Sequence, residues 1–407
     1  MPLPDHSDRA VTRTIFLTLL LVNIGMMSMI PVFPSLARQI GLSEIQSGAI
    51  ITLAAFFLAF LSPYWGNLSE RWGRKPVMLL GLAGFSLGFL LFALVVQAGL
   101  ARWFSVPATL ALLLGTRAMA AALFAGVQPA AQAYIADVST PETRTSSLAL
   151  IGIAGGMGVV VGPALGGLLS GIYLNLPLYL SSLCGALGFL IIARGLPSSA
   201  PKRVEAASAP RLSPFDGRIL TYLAATFIVA IAISSLQITS GFYFQDLLGL
   251  APKPAAASVG GALFGTGLAL LFSQIVLVRR FKLGVPLLLR LGFPLVALGF
   301  AILLIANSLP ALVAAFIVMG LGFGMVMPGY TAAASLSVAP HEQGAVAGLT
   351  SAAMGVGSMV GPLLGTTLYS LAPQAPYAAS ILLIMAISAV FWRHSKLDRL
   401  QPGLQAS

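Results

Sequence analysis

Long apolar runs with almost no formal charge constrain this chain more than any other feature. Of its 407 residues, 58% are apolar and 8% are charged, whereas a soluble domain carries about 25% charged residues. A helix needs about 20 apolar residues to cross the hydrocarbon core of a bilayer. The runs therefore predict membrane-spanning helices, and they exclude a soluble domain, a disordered chain and a secreted disulfide scaffold.

The apolar runs add up to twelve spans. Six runs each hold one span: Thr14–Ala37, Ile45–Ser69, Pro76–Ala101, Trp103–Ala136, Ile219–Gln245 and Pro254–Val278. Three longer runs each hold two spans separated by a break: Thr145–Ala193 (Asn175–Pro177), Leu291–His341 (near Asn307–Pro310) and Gln343–Trp392 (Pro373–Pro376). The sequence thus predicts an all-α membrane protein with twelve transmembrane helices.

The basic residues predict the orientation of these spans. With twelve spans, 18 of the 22 Lys and Arg residues fall on the side of the two termini, three lie opposite, and Arg117 lies within a span. Because cytoplasmic loops carry the excess of positive charge, both termini are expected in the cytoplasm. The net charge of +11 then reflects contacts with anionic headgroups rather than a nucleic-acid surface. The first apolar run lacks a small-residue cleavage site, so we expect it to remain as a helix of an inner-membrane protein.

A polar linker divides the chain into two similar halves. The predicted domains are a six-helix bundle at 1–195, a cytoplasmic linker at 196–218 and a second six-helix bundle at 219–407. Glycine and proline have backbone roles that other residues seldom replace, and seven of them recur at a constant offset of 199 residues. These pairs are Pro129/Pro328, Pro141/Pro340, Gly156/Gly355, Gly158/Gly357, Gly162/Gly361, Pro163/Pro362 and Gly166/Gly365. Two pseudo-symmetric bundles of this kind form many carriers, with the binding site between them.

The loop between the second and third spans carries a distinctive pattern of glycines and charges. It reads Gly66-Asn-Leu-Ser-Glu70-Arg71-Trp-Gly73-Arg74-Lys75. A short basic loop that only satisfies the topology rule is one interpretation. The spacing, however, resembles the signature loop of the major facilitator superfamily, with Glu70 in place of the usual aspartate. The resemblance implies that Glu70 faces the helix end near Gly344, that Arg74 pairs with Asp137, and that these residues form a conformational latch. We use the name latch for Gly66, Glu70, Arg71, Gly73, Arg74, Lys75 and Asp137.

The fifth span contains small residues four apart. Such residues let helices approach closely, so tight packing is one interpretation of Gly158, Gly162, Pro163, Gly166 and Gly167. The G-x-x-x-G-P-x-x-G-G pattern also resembles the motif of the twelve-helix drug–proton antiporter branch of the superfamily, which includes tetracycline exporters. That resemblance implies export. The eleventh span repeats the pattern at Gly357, Gly361, Pro362 and Gly365.

Arg117 is the charge that lies deepest in a predicted span. A central arginine costs about 2.5–3.5 kcal/mol on insertion scales, so we expect it to face a cavity and to act in substrate binding or coupling. The superfamily motif of the fourth span carries this arginine too, although Ala120 and Ala121 replace its Gln and Gly. Further polar candidates for the cavity are Asn23, Gln128, Gln132, Ser234, Gln237, Gln245, Tyr330 and Thr331. Each could instead form only an interhelical hydrogen bond.

Together these features predict a secondary active transporter. We expect export of a small amphipathic compound by alternating access, with proton antiport as the driving force, no cofactor and a monomeric state. No acidic residue lies in the middle of a span, which favours a neutral or anionic substrate. It leaves Glu44, Glu70, Asp137 and Asp246 as candidates for coupling. A dedicated exporter of a metabolite such as a siderophore is the alternative. A polytopic membrane enzyme is disfavoured because no span holds a histidine or paired carboxylates.

Overall fold

A computed structural model of the chain describes residues 6–197, 212–281 and 283–393, and these residues are helical without a strand. Backbone groups inside a bilayer must pair within the protein, which helices achieve within each segment. The helices before residue 198 are α1 His6–Ser28, α2 Phe33–Ile40, α3 Glu44–Trp72, α4 Arg74–Leu100, α5 Val106–Phe124, α6 Val127–Val138, α7 Pro141–Ile172 and α8 Leu176–Gly195.

The α-helices described after residue 211 are α9 Leu220–Leu248, α10 Pro252–Phe272, α11 Val285–Ile305, α12 Leu309–Leu336, α13 Gln343–Leu371 and α14 Ala375–Arg393. A π-helical stretch, Ser273–Arg280, prolongs α10, and a 3₁₀ turn at Pro340–Glu342 precedes α13. Twelve helical segments among the described residues are long and apolar enough to span a membrane. The predicted fold class and the number of spans are therefore confirmed.

Three predicted spans differ in extent or continuity from the observed helices. The first run ends at Ser28 instead of reaching Ala37, because Pro31 has no N–H to continue the helix, and the short α2 follows. The fourth is one span, Val106–Val138, but its helix is interrupted at Ala125–Gly126 between α5 and α6. The ninth begins at Val285, so Arg290 lies on the first turns of α11 rather than before the span.

The helices group into two compact units. The first consists of α1–α8 together with Ala251–Gly260, the first part of α10. In it, α4 packs against α5 and α8, and α1 packs against α7 and α8. This arrangement brings residues of α1, α3, α4 and α5 around Arg117.

The second unit consists of α9, the rest of α10 from Gly261 onward, and α11–α14. Here α11 packs against α12 and α14, and α9 packs against α13. The pairing of α9 with α13 repeats that of α1 with α7 in the first unit. The domain boundaries predicted at 195 and 218 stay a prediction, since most of the linker lies outside the described residues.

Candidate functional site

A sharp turn joins α3 to α4 at the latch. Gly73 is the single residue between the two helices, and its φ is +92°. An L residue with a side chain rarely adopts this backbone conformation, so the turn requires glycine. The turn brings the charged residues at the end of α3 next to those at the start of α4.

Arg74 connects three helices of the first unit. It is only 8% exposed, and its Nη1 donates to Ser69 Oγ at 2.6 Å. Its Nε lies 3.4 Å from Asp137 Oδ2 on α6, and its Nη2 lies 3.7 Å from Glu70 Oε1 on α3. The ion pair with Asp137 that the resemblance implies is present, and it ties the start of α4 to the ends of α3 and α6.

The other latch residues make different contacts. Lys75 Nζ donates to the carbonyl oxygens of Ala193 and Leu196 at the C-terminal end of α8. A cation is favourable there because the final carbonyls of a helix carry partial negative charge. Arg71 is exposed and forms no polar contact with the described residues. The contact predicted between Glu70 and the region near Gly344 stays a prediction.

Arg117 lies in a recess of the first unit, which we call the Arg117 recess. Arg117 itself is 8% exposed, and the space of about 230 Å³ beside it includes a part that is open to solvent. The guanidinium carbon lies 4.7 Å from the centre of the Phe89 ring and 5.9 Å from that of Phe92. The recess is lined by Met26, Ala54, Leu58, Phe85, Phe89, Arg117, Ala120, Ala121 and Phe124.

The buried guanidinium has no acidic neighbour among the described residues. Its Nε is buried and has no hydrogen-bond partner, and no ion pair to Arg117 is formed within 6–197, 212–281 and 283–393. Asp137 is twenty residues further along the chain, and it pairs with Arg74. Among the described residues, the contacts that offset the positive charge of Arg117 are those with the faces of aromatic rings.

The two glutamines of α6 do not share the surroundings of Arg117. Gln128 and Gln132 are exposed, whereas Arg117 is buried against α4. The common face predicted for the three residues assumed one continuous helix, and the interruption at Ala125–Gly126 breaks that periodicity. Their role as substrate contacts stays a prediction.

Asn23 and Ser234 lie where glycine-rich helices cross their partners. A Cβ on Gly158 of α7 would collide with Asn23 of α1, and a Cβ on Gly361 of α13 would collide with Ser234 of α9. Asn23 Nδ2 donates to Leu19 O at 2.7 Å, and Ser234 Oγ donates to Ala230 O at 2.7 Å. These contacts support the packing interpretation for both residues.

The remaining polar candidates belong to the second unit. Gln237 is half-buried on α9, and Gln245 Nε2 donates to Gly241 O at 2.8 Å. Tyr330 is buried on α12, while Thr331 beside it is exposed and donates to Met327 O. Their part in substrate binding also stays a prediction.

The predicted glycine motifs lie at close helix contacts. On α7, a Cβ at Gly162 would lie 2.5 Å from Met27 Cβ, and one at Gly166 would collide with Ser28 O. Gly167 lies against Gly260 of α10. On α13, a Cβ at Gly357 would lie 2.6 Å from Phe227 O, and one at Gly365 would collide with Ser235. Pro163 and Pro362 lie inside their helices at equivalent places.

Sequence reasoning missed the aromatic wall of the recess and one polar contact. Phe85, Phe89 and Phe92 follow each other at helical spacing on α4, and this periodicity is the signal that could have found them. Tyr369 on α13 donates to Asp246 Oδ2 on α9 at 2.5 Å. No pattern in the sequence indicates that pairing, because the two residues are 123 positions apart.

Comparisons with known proteins agree with this architecture. The family model described as Major Facilitator Superfamily matches residues 15–297 and 282–406. The chain belongs to the Major Facilitator Superfamily. It is therefore a multi-pass membrane transporter and not an enzyme.

Several members of the superfamily are similar to the chain over nearly its whole length. Multidrug resistance protein 2 of Bacillus subtilis is 26% identical, covering 95% of this chain and 97% of its own. Quinolone resistance protein NorA of Staphylococcus aureus is 23% identical, covering 90% and 92%. Both relatives are named for drug resistance.

Solved structures share the fold. A point mutant of the nucleoside transporter NupG has a TM-score of 0.74 at 13% identity, covering 96% of this chain and 99% of its own. A bacterial homologue of the human lysosomal transporter Spinster has a TM-score of 0.72 at 15% identity, covering 99% and 100%. At such identities the likeness supports the superfamily fold alone.

Proposed function

We propose that the chain exports small amphipathic compounds from the cytoplasm across the inner membrane, with both termini in the cytoplasm. The drug-resistance relatives that it matches over 90% or more of its length support export. The concentration of basic residues on one side of the twelve spans supports the orientation.

The Arg117 recess is the observation that carries this proposal. A transport site for amphipathic compounds needs apolar surface and a small number of placed polar groups. The recess offers Phe85, Phe89, Phe124 and Met26 as apolar surface and the guanidinium of Arg117 as the polar group. A ligand there would contact four different helices, so its binding could depend on how those helices are arranged.

Alternating access requires an element with two arrangements, and we assign that role to the latch. Arg74 holds the ends of α3, α4 and α6 together through Ser69, Glu70 and Asp137. Conformational switches often repack such ion pairs. Loss of the Arg74 contacts would therefore change the balance between states without removing any group from the recess.

Proton antiport is the driving force that we propose, with Asp246 as the proton carrier. The carboxylates of Glu44, Glu70, Asp137, Asp216 and Glu342 each pair with an arginine. Asp246 on α9 accepts a hydrogen bond from the Tyr369 hydroxyl on α13, so proton binding at this carboxylate would act on a contact between two helices.

The surroundings of Asp246 are rich in tyrosine. Tyr369 from α13 contacts the carboxylate, and the rings of Tyr243 on α9 and Tyr377 on α14 lie 4.8 Å apart in the same unit. Asp246→Asn should abolish the dependence of transport on a pH gradient while leaving downhill movement of substrate. Glu44→Gln removes another carboxylate, that of a residue paired with Arg38, and should leave the dependence intact. Unchanged gradient dependence in Asp246→Asn would rule out this carrier.

Accumulation of a fluorescent amphipathic compound in cells tests export. A bacterial host that lacks its own efflux pumps should retain less of the compound when it expresses the chain, and Arg117→Ala should restore accumulation at equal membrane abundance. Equal accumulation with and without the chain, over several compound classes, would contradict multidrug export.

The Arg117 charge also favours a second candidate, a dedicated exporter of an anionic metabolite such as a siderophore. A dedicated exporter would be indicated by a metabolite that is present in the medium of wild-type cells and missing from the medium of cells that lack the chain.

A further inference from the structure

We propose that the Arg117 recess is a subsite for the anionic head of an aromatic acid, such as an aryl carboxylate or sulfonate. This inference rests on the proposed export function and narrows its substrate class. It predicts selection for organic anions and discrimination against cations of the same size and shape.

The first support is the unsatisfied hydrogen-bonding capacity of Arg117. A guanidinium has five N–H donors and no acceptor, and the Nε of Arg117 is buried without a partner among the described residues. Buried donors are normally paired, and a buried charged donor is the most costly to leave unpaired. An anion in the recess would satisfy these donors.

The second support is the orientation of the aromatic rings around the charge. Phe89 covers the guanidinium at 4.7 Å and Phe92 approaches it at 5.9 Å. Aromatic faces stabilise a cation electrostatically, but they accept no strong hydrogen bond from its N–H edge. That edge keeps the planar fork of donors that matches a carboxylate in two parallel hydrogen bonds.

The third support is the composition of the remaining wall. Met26, Leu58, Phe85 and Phe124 offer apolar surface beside the guanidinium. An aromatic ring could pack against this surface while its acidic group meets the N–H donors of Arg117.

A cation has no favourable place in this recess. Its lining, as the described residues form it, contains no carboxylate that could pair with a positive charge. The ring face of Phe89, which could attract a cationic ligand, is already covered by Arg117 itself. A positively charged head would meet repulsion from the guanidinium at low local dielectric.

Equilibrium binding to the full-length chain in phosphatidylcholine nanodiscs tests the proposal. The probes are naphthoate, the neutral naphthamide and the trimethylnaphthylammonium cation, which share one ring system. Hydrogen bonds to charged groups predict about tenfold or greater preference for naphthoate over naphthamide, with the cation weakest. Arg117→Gln should remove the preference for the anion, and Arg117→Lys should retain part of it. Arg102→Asn is the matched control, because it removes a charge at an exposed position with φ of +58°, which asparagine tolerates.

Equal affinity for the three probes, or a preference for naphthoate that survives in Arg117→Gln, would overturn the inference. Displacement of naphthoate by phosphatidylglycerol would assign the anion site to a lipid headgroup and would overturn the substrate assignment. The binding assay and the export assay test two different claims. A chain that binds naphthoate but exports nothing contradicts the proposed function, whereas one that exports only cations contradicts this inference.

Discussion

The guanidinium carbon of Arg117 lies 4.7 Å from the centre of the Phe89 ring, with Phe89 on α4 and Arg117 on α5. A desolvated cation–π contact contributes about 2 kcal/mol, which offsets a large part of the roughly 2.5–3.5 kcal/mol cost of an arginine inside a span. The contact leaves the donor edge of the guanidinium unused. Among the described residues, no acidic group neutralises this charge.

The energy of this contact can be measured by a double-mutant cycle. Phe89→Leu keeps an apolar side chain but removes the ring face, so we expect it to lower the stability of the chain by about 1–2 kcal/mol. In an Arg117→Gln background the same change should cost much less, because the cation is absent. Thermal unfolding in detergent measures both effects. Phe92→Leu, whose ring lies 5.9 Å from the guanidinium, should show weaker coupling, and additive effects of Phe89→Leu and Arg117→Gln would contradict the contact.

The crossing of α7 with α1 should tolerate no added methyl group at Gly162. A Cβ there would lie 2.5 Å from Met27 Cβ, so Gly162→Ala must push α1 and α7 apart and should reduce transport strongly. Gly155 lies on the same helix, and a Cβ there meets no atom within 4 Å. Gly155→Ala should therefore transport normally at equal expression. Equal activity of the two variants would show that close approach at Gly162 is dispensable.

Arg74 and Arg71 should behave differently although they are close neighbours at the same turn. Arg74→Ala removes the contacts with Ser69, Glu70 and Asp137, so we expect slow turnover with substrate affinity nearly unchanged. Arg71 is exposed, and Arg71→Ala should have little effect on either quantity. Transport rates and equilibrium binding of the same compound separate the two parameters. A loss of affinity in Arg74→Ala with unchanged turnover would contradict the latch role.

The start of α9 should respond to acid through Asp216. Arg218 donates to Asp216 Oδ2 at 2.8 Å and to Glu342 Oε2 at 2.9 Å. Hydrogen bonds from Arg218 hold the pKa of Asp216 below its usual value in the folded chain. Because the folded-state pKa is the lower one, this stabilisation is present above the ordinary carboxyl pKa of about 4 and is lost as the pH falls further.

Unfolding temperatures of the wild type and Asp216→Asn check this dependence. The variant should be slightly less stable at neutral pH, and the difference should disappear in acid. A constant difference at every pH would contradict the ionic contribution.

The sequence predicts the spans well and the site only in part. Apolar length alone indicates twelve helices, and glycine spacing indicates where α7 and α13 cross their neighbours, because both follow from local chemistry. Pro129 follows the interruption at Ala125–Gly126 and has no N–H for the carbonyl of Ala125, a signal that the prediction of one continuous helix did not use. The role of Gln128 and Gln132 beside Arg117 stays a prediction. The contacts of Arg117 with Phe89 and of Asp246 with Tyr369 join different helices. They depend on helix rotation and register, which a single sequence does not contain.

A transport assay in proteoliposomes tests the central claim most directly. It uses the purified chain, an imposed pH gradient and an amphipathic aromatic acid as substrate. We expect wild-type chains to move the acid against its concentration gradient, a protonophore to stop this movement, and Arg117→Ala to remain folded but inactive. Wild-type chains that move no compound in response to the gradient, or Arg117→Ala with full activity, would contradict the account.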